Sequence, residues 1–118
     1  MRKTSRFDPL RRYGWGRDCT GWELSEEEGL SMKEESMPTG AAEKLHLHRH
    51  ATQVFYILRG EATFEIEGQR IKAVSGESLT IRPGEPHRIL NESPVELTFI
   101  LCSAPSTRND RTDIDEHE

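Results

Sequence analysis

The chain has 118 residues, of which 33% are hydrophobic and 31% are charged. This length fits one domain and leaves no room for a second core. No apolar run approaches the ~20 residues that span a bilayer, and the N-terminus lacks the apolar stretch of a secretory signal. We therefore expect a cytoplasmic protein without a membrane partner. Because so small a domain buries only about two-thirds of its unfolded surface, we also expect a homodimer.

The charge is unevenly distributed along the chain. The net charge is −5, yet residues 1–18 are rich in arginine and residues 105–118 are rich in aspartate and glutamate. A basic arm can bind nucleic acid, but terminal segments are more often solvated. We therefore predict an irregular basic arm over residues 1–18 with no nucleic-acid partner, and an acidic polar tail over 105–118 that leaves the fold.

Short strands are predicted between the arm and the tail. Turn-forming clusters separate them, and no window shows the apolar spacing of a helix. The predicted strands span residues 20–24, 30–37, 43–48, 53–58, 61–67, 69–74, 78–82, 86–91 and 95–102. We expect one hairpin across Arg59–Gly60 and a second across Gly68. So many short strands predict a sandwich or closed barrel over residues 19–104.

Histidines and one glutamine are the candidate metal-binding residues. His46 and His48 are two apart in a predicted strand, so their rings project from one face, with Cα atoms about 6.5–7 Å apart. Gln53 belongs to an inward, otherwise apolar row and needs a polar partner, which a metal could supply. His87 begins a strand after a rigid turn. His50 lies where the chain turns, and we assign it to a loop rather than to the ligands.

Two motifs in this order resemble those of the cupin family. The first runs Gly, five residues, His-x-His, three or four residues, Glu, six residues, Gly; the chain has Gly40, His46, His48, Gln53 and Gly60. The second runs Gly, five residues, Pro-x-Gly, two residues, His, three residues, Asn; the chain has Gly76, Arg82, Gly84, His87 and Asn91. Every spacing fits. Gln53 replaces the usual glutamate, and Arg82 replaces the first proline.

The resemblance implies an all-β double-stranded β-helix, or jelly-roll barrel, with a metal near its mouth. It implies His46, His48 and His87 as ligands and Gln53 as the fourth, around one divalent iron, zinc, nickel or manganese ion. Cupins include dioxygenases, isomerases and lyases as well as non-catalytic binding proteins, so the fold does not fix the reaction. We expect a metal-dependent enzyme acting on a small molecule, or alternatively a small-molecule binding or sensor protein. A metal-free structural protein is the third possibility.

The glutamine in motif one changes the expected chemistry. A glutamate would bring one negative charge to the ion and glutamine brings none, so the charge of the site rises from +1 to +2 and we expect weaker metal binding. Gln53 could instead swing away and leave three histidines with open positions. It could also hydrogen-bond across the barrel with no metal present.

Three phenylalanines and one arginine are the predicted substrate-pocket residues. Phe55, Phe64 and Phe99 belong to inward rows, and an aromatic lining suits a small, weakly polar ligand. Arg82 is either an exposed residue at a strand end or a guanidinium that binds an anionic substrate. No general base is evident, although Glu34 or Glu35 could approach the metal.

Overall fold

A computed structural model describes residues 1–115, so the last three residues of the predicted tail lie outside the described part. Eleven strands form, and within 1–115 there is no helix and hence none that could cross a membrane. The strands are β1 (Arg11–Trp15), β2 (Cys19–Glu27), β3 (Leu30–Met37), β4 (His46–His48), β5 (Thr52–Arg59), β6 (Glu61–Ile66), β7 (Gln69–Val74), β8 (Ser78–Ile81), β9 (His87–Leu90), β10 (Leu97–Ala104) and β11 (Arg111–Asp113).

Two antiparallel sheets face each other. One has six strands in the order β1-β2-β3-β10-β5-β8, and the other has five in the order β11-β4-β9-β6-β7. Neighbours in each sheet are mostly distant in sequence, for example β3 with β10 and β4 with β9. This is the arrangement predicted from the motifs, an all-β jelly roll, and the strands between residues 19 and 104 lie close to their predicted positions.

The core follows the period-two alternation of the strands. On β5, Gln53, Phe55 and Ile57 are buried, whereas Val54 and Tyr56, which lie between them, are exposed. The ring of Phe55 contacts those of Phe64 and Phe99 from the other strands, with centroid separations of 5.1 and 5.5 Å. Since side chains alternate between the two faces of a strand, the inward row that carries these rings also carries Gln53 into the barrel.

Within residues 1–115, the predicted arm and the predicted tail each contain a strand that was not expected. The irregular-arm prediction is wrong for Arg11–Trp15. These residues form β1, which pairs with β2 at the edge of the six-stranded sheet and has Trp15 opposite Cys19. The prediction that the tail leaves the fold is wrong for Arg111–Asp113, which pair with β4. Edge strands need partners on one side only, so three to five residues with little apolar content suffice, and the hydrophobic pattern does not reveal them.

One of the two predicted hairpins forms. Strands β6 and β7 pair around Gly68 as predicted. Strands β5 and β6 do not pair, because the chain crosses at Gly60 from the six-stranded sheet to the five-stranded one. Gly60 has φ +88°, and a Cβ there would lie 2.6 Å from the carbonyl oxygen of Glu96. Only glycine fits this close backbone approach, so the glycine that suggested a hairpin turn makes a corner between sheets.

Candidate metal centre

The two sheets bring the candidate ligands together. His46 and His48 lie on β4, and His87 begins β9 directly opposite His46 in the ladder. The three rings are buried, and their centroids are 4.3 to 5.8 Å apart. One ring nitrogen from each histidine lies within 4.8 Å of the others. Gln53 reaches the same region from β5 on the facing sheet, and its side chain borders a cavity shared with His48.

Backbone carbonyls fix the orientation of all three imidazoles. Nδ1 of His46 lies 2.8 Å from the carbonyl oxygen of Lys44, Nδ1 of His48 the same distance from that of Asp110, and Nδ1 of His87 the same distance from that of Glu85. A carbonyl oxygen only accepts hydrogen bonds, so each neutral ring carries its proton on Nδ1. The lone pair of each ring is therefore on Nε2.

Burial keeps these rings neutral. It lowers the pKa of His46 to about 3, and it also lowers the pKa values of His48 and His87. The carbonyl hydrogen bonds oppose this effect but do not overcome it. At neutral pH the site therefore holds three uncharged nitrogen donors, which is the form of histidine that binds a transition metal.

Two buried acceptor atoms at this site have no partner. Among the described residues, nothing donates a hydrogen bond to Oε1 of Gln53 or engages Nε2 of His87. The amide nitrogen of Gln53 donates to Oγ of Ser103 at 3.1 Å, which leaves the amide oxygen free. Buried polar atoms are seldom left unpaired. A cation at the centre would satisfy both atoms, so the residues present fit a divalent metal.

Loops on both sides tie the histidine segments to each other. The backbone N–H of Gly84, in the turn before His87, donates to the carbonyl oxygen of His48 at 2.7 Å. The carboxylate of Asp110 accepts hydrogen bonds from the backbone N–H groups of residues 49–51, just after His48. Asn91 is completely buried and donates to the carbonyl oxygens of Met37 and Val95. Motif two therefore supplies positioning contacts as well as the third histidine.

A cavity of about 230 Å³ opens beside His48 and Gln53. Its walls combine charged side chains, among them Lys33, Glu35 and Arg111, with the apolar side chains of Trp15 and Leu101. This differs from the weakly polar pocket expected from the sequence.

A larger groove of about 480 Å³ lies elsewhere, along residues 26–28 and 105–110, and His50 borders it. His50 is exposed and stands outside the histidine cluster, in agreement with its prediction as a loop residue.

Tyr13 and Glu35 form one wall of the cavity. The hydroxyl of Tyr13 donates to Oε2 of Glu35, and burial raises the pKa values of both groups. Gly21 lies between them in the sheet, opposite Tyr13 on β1 and opposite Glu35 on β3. A Cβ at Gly21 would lie 2.1 Å from the Tyr13 ring. Tyr13 can therefore reach across β2 to Glu35 only because residue 21 has no side chain.

Glu43 is a second carboxyl of the same cavity, and its side chain is largely buried. Its Oε2 lies 3.9 Å from Nε2 of His46 and 3.9 Å from Nη1 of Arg111, and its Oε1 accepts from the backbone N–H of Ile89 at 3.3 Å. Burial raises its pKa to about 8, and the charge of Glu35 adds to the rise. The contact with His46 is not an ion pair, because the lowered pKa of that histidine leaves it uncharged.

The predicted pocket residues lie away from this cavity. Phe55, Phe64 and Phe99 are buried in the central core and are not among the residues that line it. Arg82 is exposed, and its backbone N–H donates to Glu85. Contact of these four residues with a bound molecule stays a prediction.

The sequence indicated that Glu35 could approach the metal, but it gave no role to five other residues of the site: Tyr13, Lys33, Glu43, Asp110 and Arg111. A signal existed for Glu43, which lies in the predicted strand 43–48 three residues before His46. Tyr13 and Asp110 come from segments that were assigned to the arm and the tail. No local pattern connects either of them with the histidines.

Comparison with known proteins agrees with this geometry. The cupin domain family matches residues 33–102. An uncharacterised protein of Methanocaldococcus jannaschii is 30% identical over 84 residues, which are 71% of this chain and 67% of that protein. The oxalate-binding protein of Thermotoga maritima is 31% identical over 64 residues, which are 54% of this chain and 53% of that protein. This second match thus spans about half of the Thermotoga protein.

A solved structure shows the same fold over nearly the whole chain. It is an uncharacterised conserved protein with a double-stranded β-helix domain from Klebsiella pneumoniae subsp. pneumoniae, with a TM-score of 0.80 and 18% identity. The superposition covers 98% of this chain and 99% of that one. The segment that matches the family, 33–102, contains the three clustered histidines and Gln53. From its sequence and its fold, the chain belongs to the cupin family.

Proposed function

We propose that this cupin binds one divalent transition metal through Nε2 of His46, His48 and His87 and through Oε1 of Gln53. The observation that carries the proposal is the shared orientation of the three imidazoles, each with Nδ1 bonded to a carbonyl so that Nε2 keeps its lone pair. Iron, zinc, nickel and manganese are the candidate ions, since three imidazoles and one amide oxygen suit borderline metals. Such an ion would act as a Lewis acid toward a bound oxygen atom.

The metal content of the purified protein tests this proposal. The protein is purified without an affinity tag and analysed for bound elements, beside a His46→Ala/His87→Ala variant and a His50→Ala control. Near one equivalent of metal in wild type and in His50→Ala, with loss in the double variant, is the expected result. Metal that stays bound to the double variant, or wild-type protein that binds no transition metal on titration, contradicts it.

The ligand that the cavity best accommodates is a small oxygen-rich anion. A volume of about 230 Å³ corresponds to roughly eight water molecules at about 30 Å³ each, which suits a small molecule. Lys33 and Arg111 line this space and offer positive charge, and the raised pKa values of Glu35 and Glu43 limit the negative charge that these two carboxyls of the cavity oppose to it. The metal would bind an oxygen of the ligand. The relative from Thermotoga maritima that is named an oxalate-binding protein supports the same class of ligand.

Calorimetry with oxalate and with its uncharged diamide, oxamide, tests the ligand class. We expect metal-loaded protein to bind oxalate and to bind oxamide much more weakly, and Arg111→Gln to lose part of the difference. Equal binding of oxalate and oxamide would show that the charge of the ligand does not determine binding in this cavity. Whether binding leads to turnover, as in the dioxygenase and the isomerase or lyase predictions, is tested by oxygen uptake and product analysis with the bound anion.

A further inference from the structure

Glu43 places a carboxylate oxygen beside one of the proposed metal ligands. The residue lies just before β4, and its Oε2 is 3.9 Å from Nε2 of His46, the ring nitrogen that carries the lone pair. The side chain is only 14% exposed. Its other oxygen is held by the backbone N–H of Ile89 on β9. The carboxylate is thus anchored by the strand that carries His87 and faces the ligand nitrogen of His46.

The oxygen that faces His46 lacks a strong partner of its own. Over residues 1–115 no group donates a hydrogen bond to it, and its nearest cation is Nη1 of Arg111 at 3.9 Å, on a side chain that is 42% exposed. A buried carboxylate requires a compensating positive charge. The 3.9 Å separation from Nε2 of His46 is shorter than the sum of two metal–ligand bonds of about 2.1 Å each. One ion can therefore reach these two atoms. The Glu43 oxygen lies outside the group of histidine nitrogens that are within 4.8 Å of one another, so ligation together with His48 and His87 requires the Glu43 side chain to rotate toward them.

The charge of the ligand set also favours a carboxylate at this position. Cupin motif one carries a glutamate where this chain has Gln53, so the motif alone leaves the ion without an anionic ligand. We propose that Glu43 is a further ligand of the metal and supplies the negative charge that Gln53 does not. This inference rests on the proposed function, because it concerns the same ion. It moves the anionic ligand from the β5 side of the barrel to the segment before β4.

Metal affinities of matched variants test the inference. Dissociation constants for Zn²⁺ and Mn²⁺ are measured by competition with a chelating dye for wild type, Glu43→Gln and Glu23→Gln. Glu23 is a suitable control because it is also a buried carboxyl, but it lies outside this cavity and pairs with Arg11 at 3.4 Å. We expect Glu43→Gln to bind at least about ten-fold more weakly, with the larger loss for Mn²⁺, which prefers carboxylate oxygen. Glu23→Gln should change affinity less than about three-fold.

Either of two results would overturn the inference: unchanged affinity in Glu43→Gln, or equal losses in both variants, which would indicate only a long-range effect of charge. If Glu43→Gln does not fold, the crystal structure of zinc-loaded wild type decides. A Glu43 oxygen at about 2.0–2.2 Å from the zinc supports ligation, and one beyond hydrogen-bond distance contradicts it. Wild-type protein that binds no metal refutes the proposed function itself, so the two failures are distinct.

Discussion

The backbone carbonyl oxygen of Asp110 accepts a hydrogen bond from Nδ1 of His48 at 2.8 Å, although the two residues are 62 positions apart. The carboxylate of Asp110 accepts from the backbone N–H groups of Arg49, His50 and Ala51. One residue of the C-terminal segment therefore holds both the ring of a candidate ligand and the loop that follows it. Such contacts behind a metal ligand fix its tautomer and orientation.

Asp110→Ala should loosen this loop and weaken metal binding. Loss of a carboxylate that accepts three backbone hydrogen bonds is expected to lower the free energy of unfolding by about 1–2 kcal/mol. Because the ring of His48 is then less well held, we expect metal affinity to fall about ten-fold. Denaturant unfolding in the presence of a chelator measures the first effect, and a metal titration measures the second.

Asp113→Asn is the matched control for this substitution. Asp113 lies on the same segment, but its carboxylate is exposed and pairs with Arg111 at 2.7 Å. Exposed pairs contribute little to stability because solvent screens them, so both measurements should stay near wild type. An Asp110→Ala variant that is as stable as Asp113→Asn and binds metal equally well would show that the tail does not support the site.

The sequence alone was sufficient to predict those features of the fold and the site that depend on residues close together in the chain. Alternation in Gln53–Ile57 identified the inward face of β5, and the spacing of His46 and His48 placed both rings on one face. The motifs joined these residues to His87, which local pattern could not have done. Pairing between distant segments left little trace. Nothing near Asp110 indicates a partner 62 residues away, and a turn glycine such as Gly60 does not reveal whether the flanking strands pair or separate into two sheets.

Metal binding should raise thermal stability by an amount that depends on concentration. At free metal of one hundred times the dissociation constant, binding to the folded state alone adds about 2.7 kcal/mol. For a domain of this size that corresponds to a rise in Tm of roughly 10 °C. Differential scanning fluorimetry with and without chelator measures the rise. His50→Ala should show it in full and His87→Ala should not; an equal rise in both would point to metal bound elsewhere.

Gln53→Glu should have opposite effects on the apo and metal-loaded protein. Gln53 is buried, and its amide nitrogen donates to Ser103. A carboxylate in its place adds a buried negative charge, which lowers stability without metal and raises metal affinity, by our expectation about ten-fold. Melting curves with and without chelator give both quantities. Lower affinity in Gln53→Glu than in wild type would indicate that the side chain points away from the ion.

Homodimer formation stays a prediction, and the outer face of β5 is where we place the second copy. Val54, Tyr56 and Leu58 form its outward row and are 37 to 45% exposed. The outward row of a sheet that faces water is usually polar, whereas this row is apolar. A two-fold axis through it would bring the same apolar row of each copy together. Light scattering after size exclusion should give a dimer for wild type and a monomer for Tyr56→Glu. A monomeric wild-type protein would exclude the assembly.

The cavity carboxyl of Glu35 should make the apo protein less stable as pH rises. Burial raises the pKa of Glu35, while the Tyr13 hydroxyl and the charges of Lys33 and Arg111 oppose the rise. Glu43 faces the same cavity and also becomes negative as pH rises. With a raised pKa in the folded state, the stabilising contribution of Glu35 is complete below the usual carboxyl value of 4.5. It is lost as pH increases through the folded-state value, by up to about 1.4 kcal/mol per pH unit.

Glu35→Gln cannot ionise, so comparison with it isolates this effect. We expect unfolding free energies measured in chelator to be similar for variant and wild type near pH 4.5, and the variant to become the more stable of the two toward pH 8. Glu34→Gln serves as the control, because Glu34 lies on the same strand but pairs with Arg6 at 3.3 Å; it should keep the wild-type pH dependence. If wild type is instead the more stable at pH 8, Lys33 and Arg111 hold Glu35 as a favourable anion, and the cavity presents a carboxylate rather than a carboxylic acid to any bound molecule.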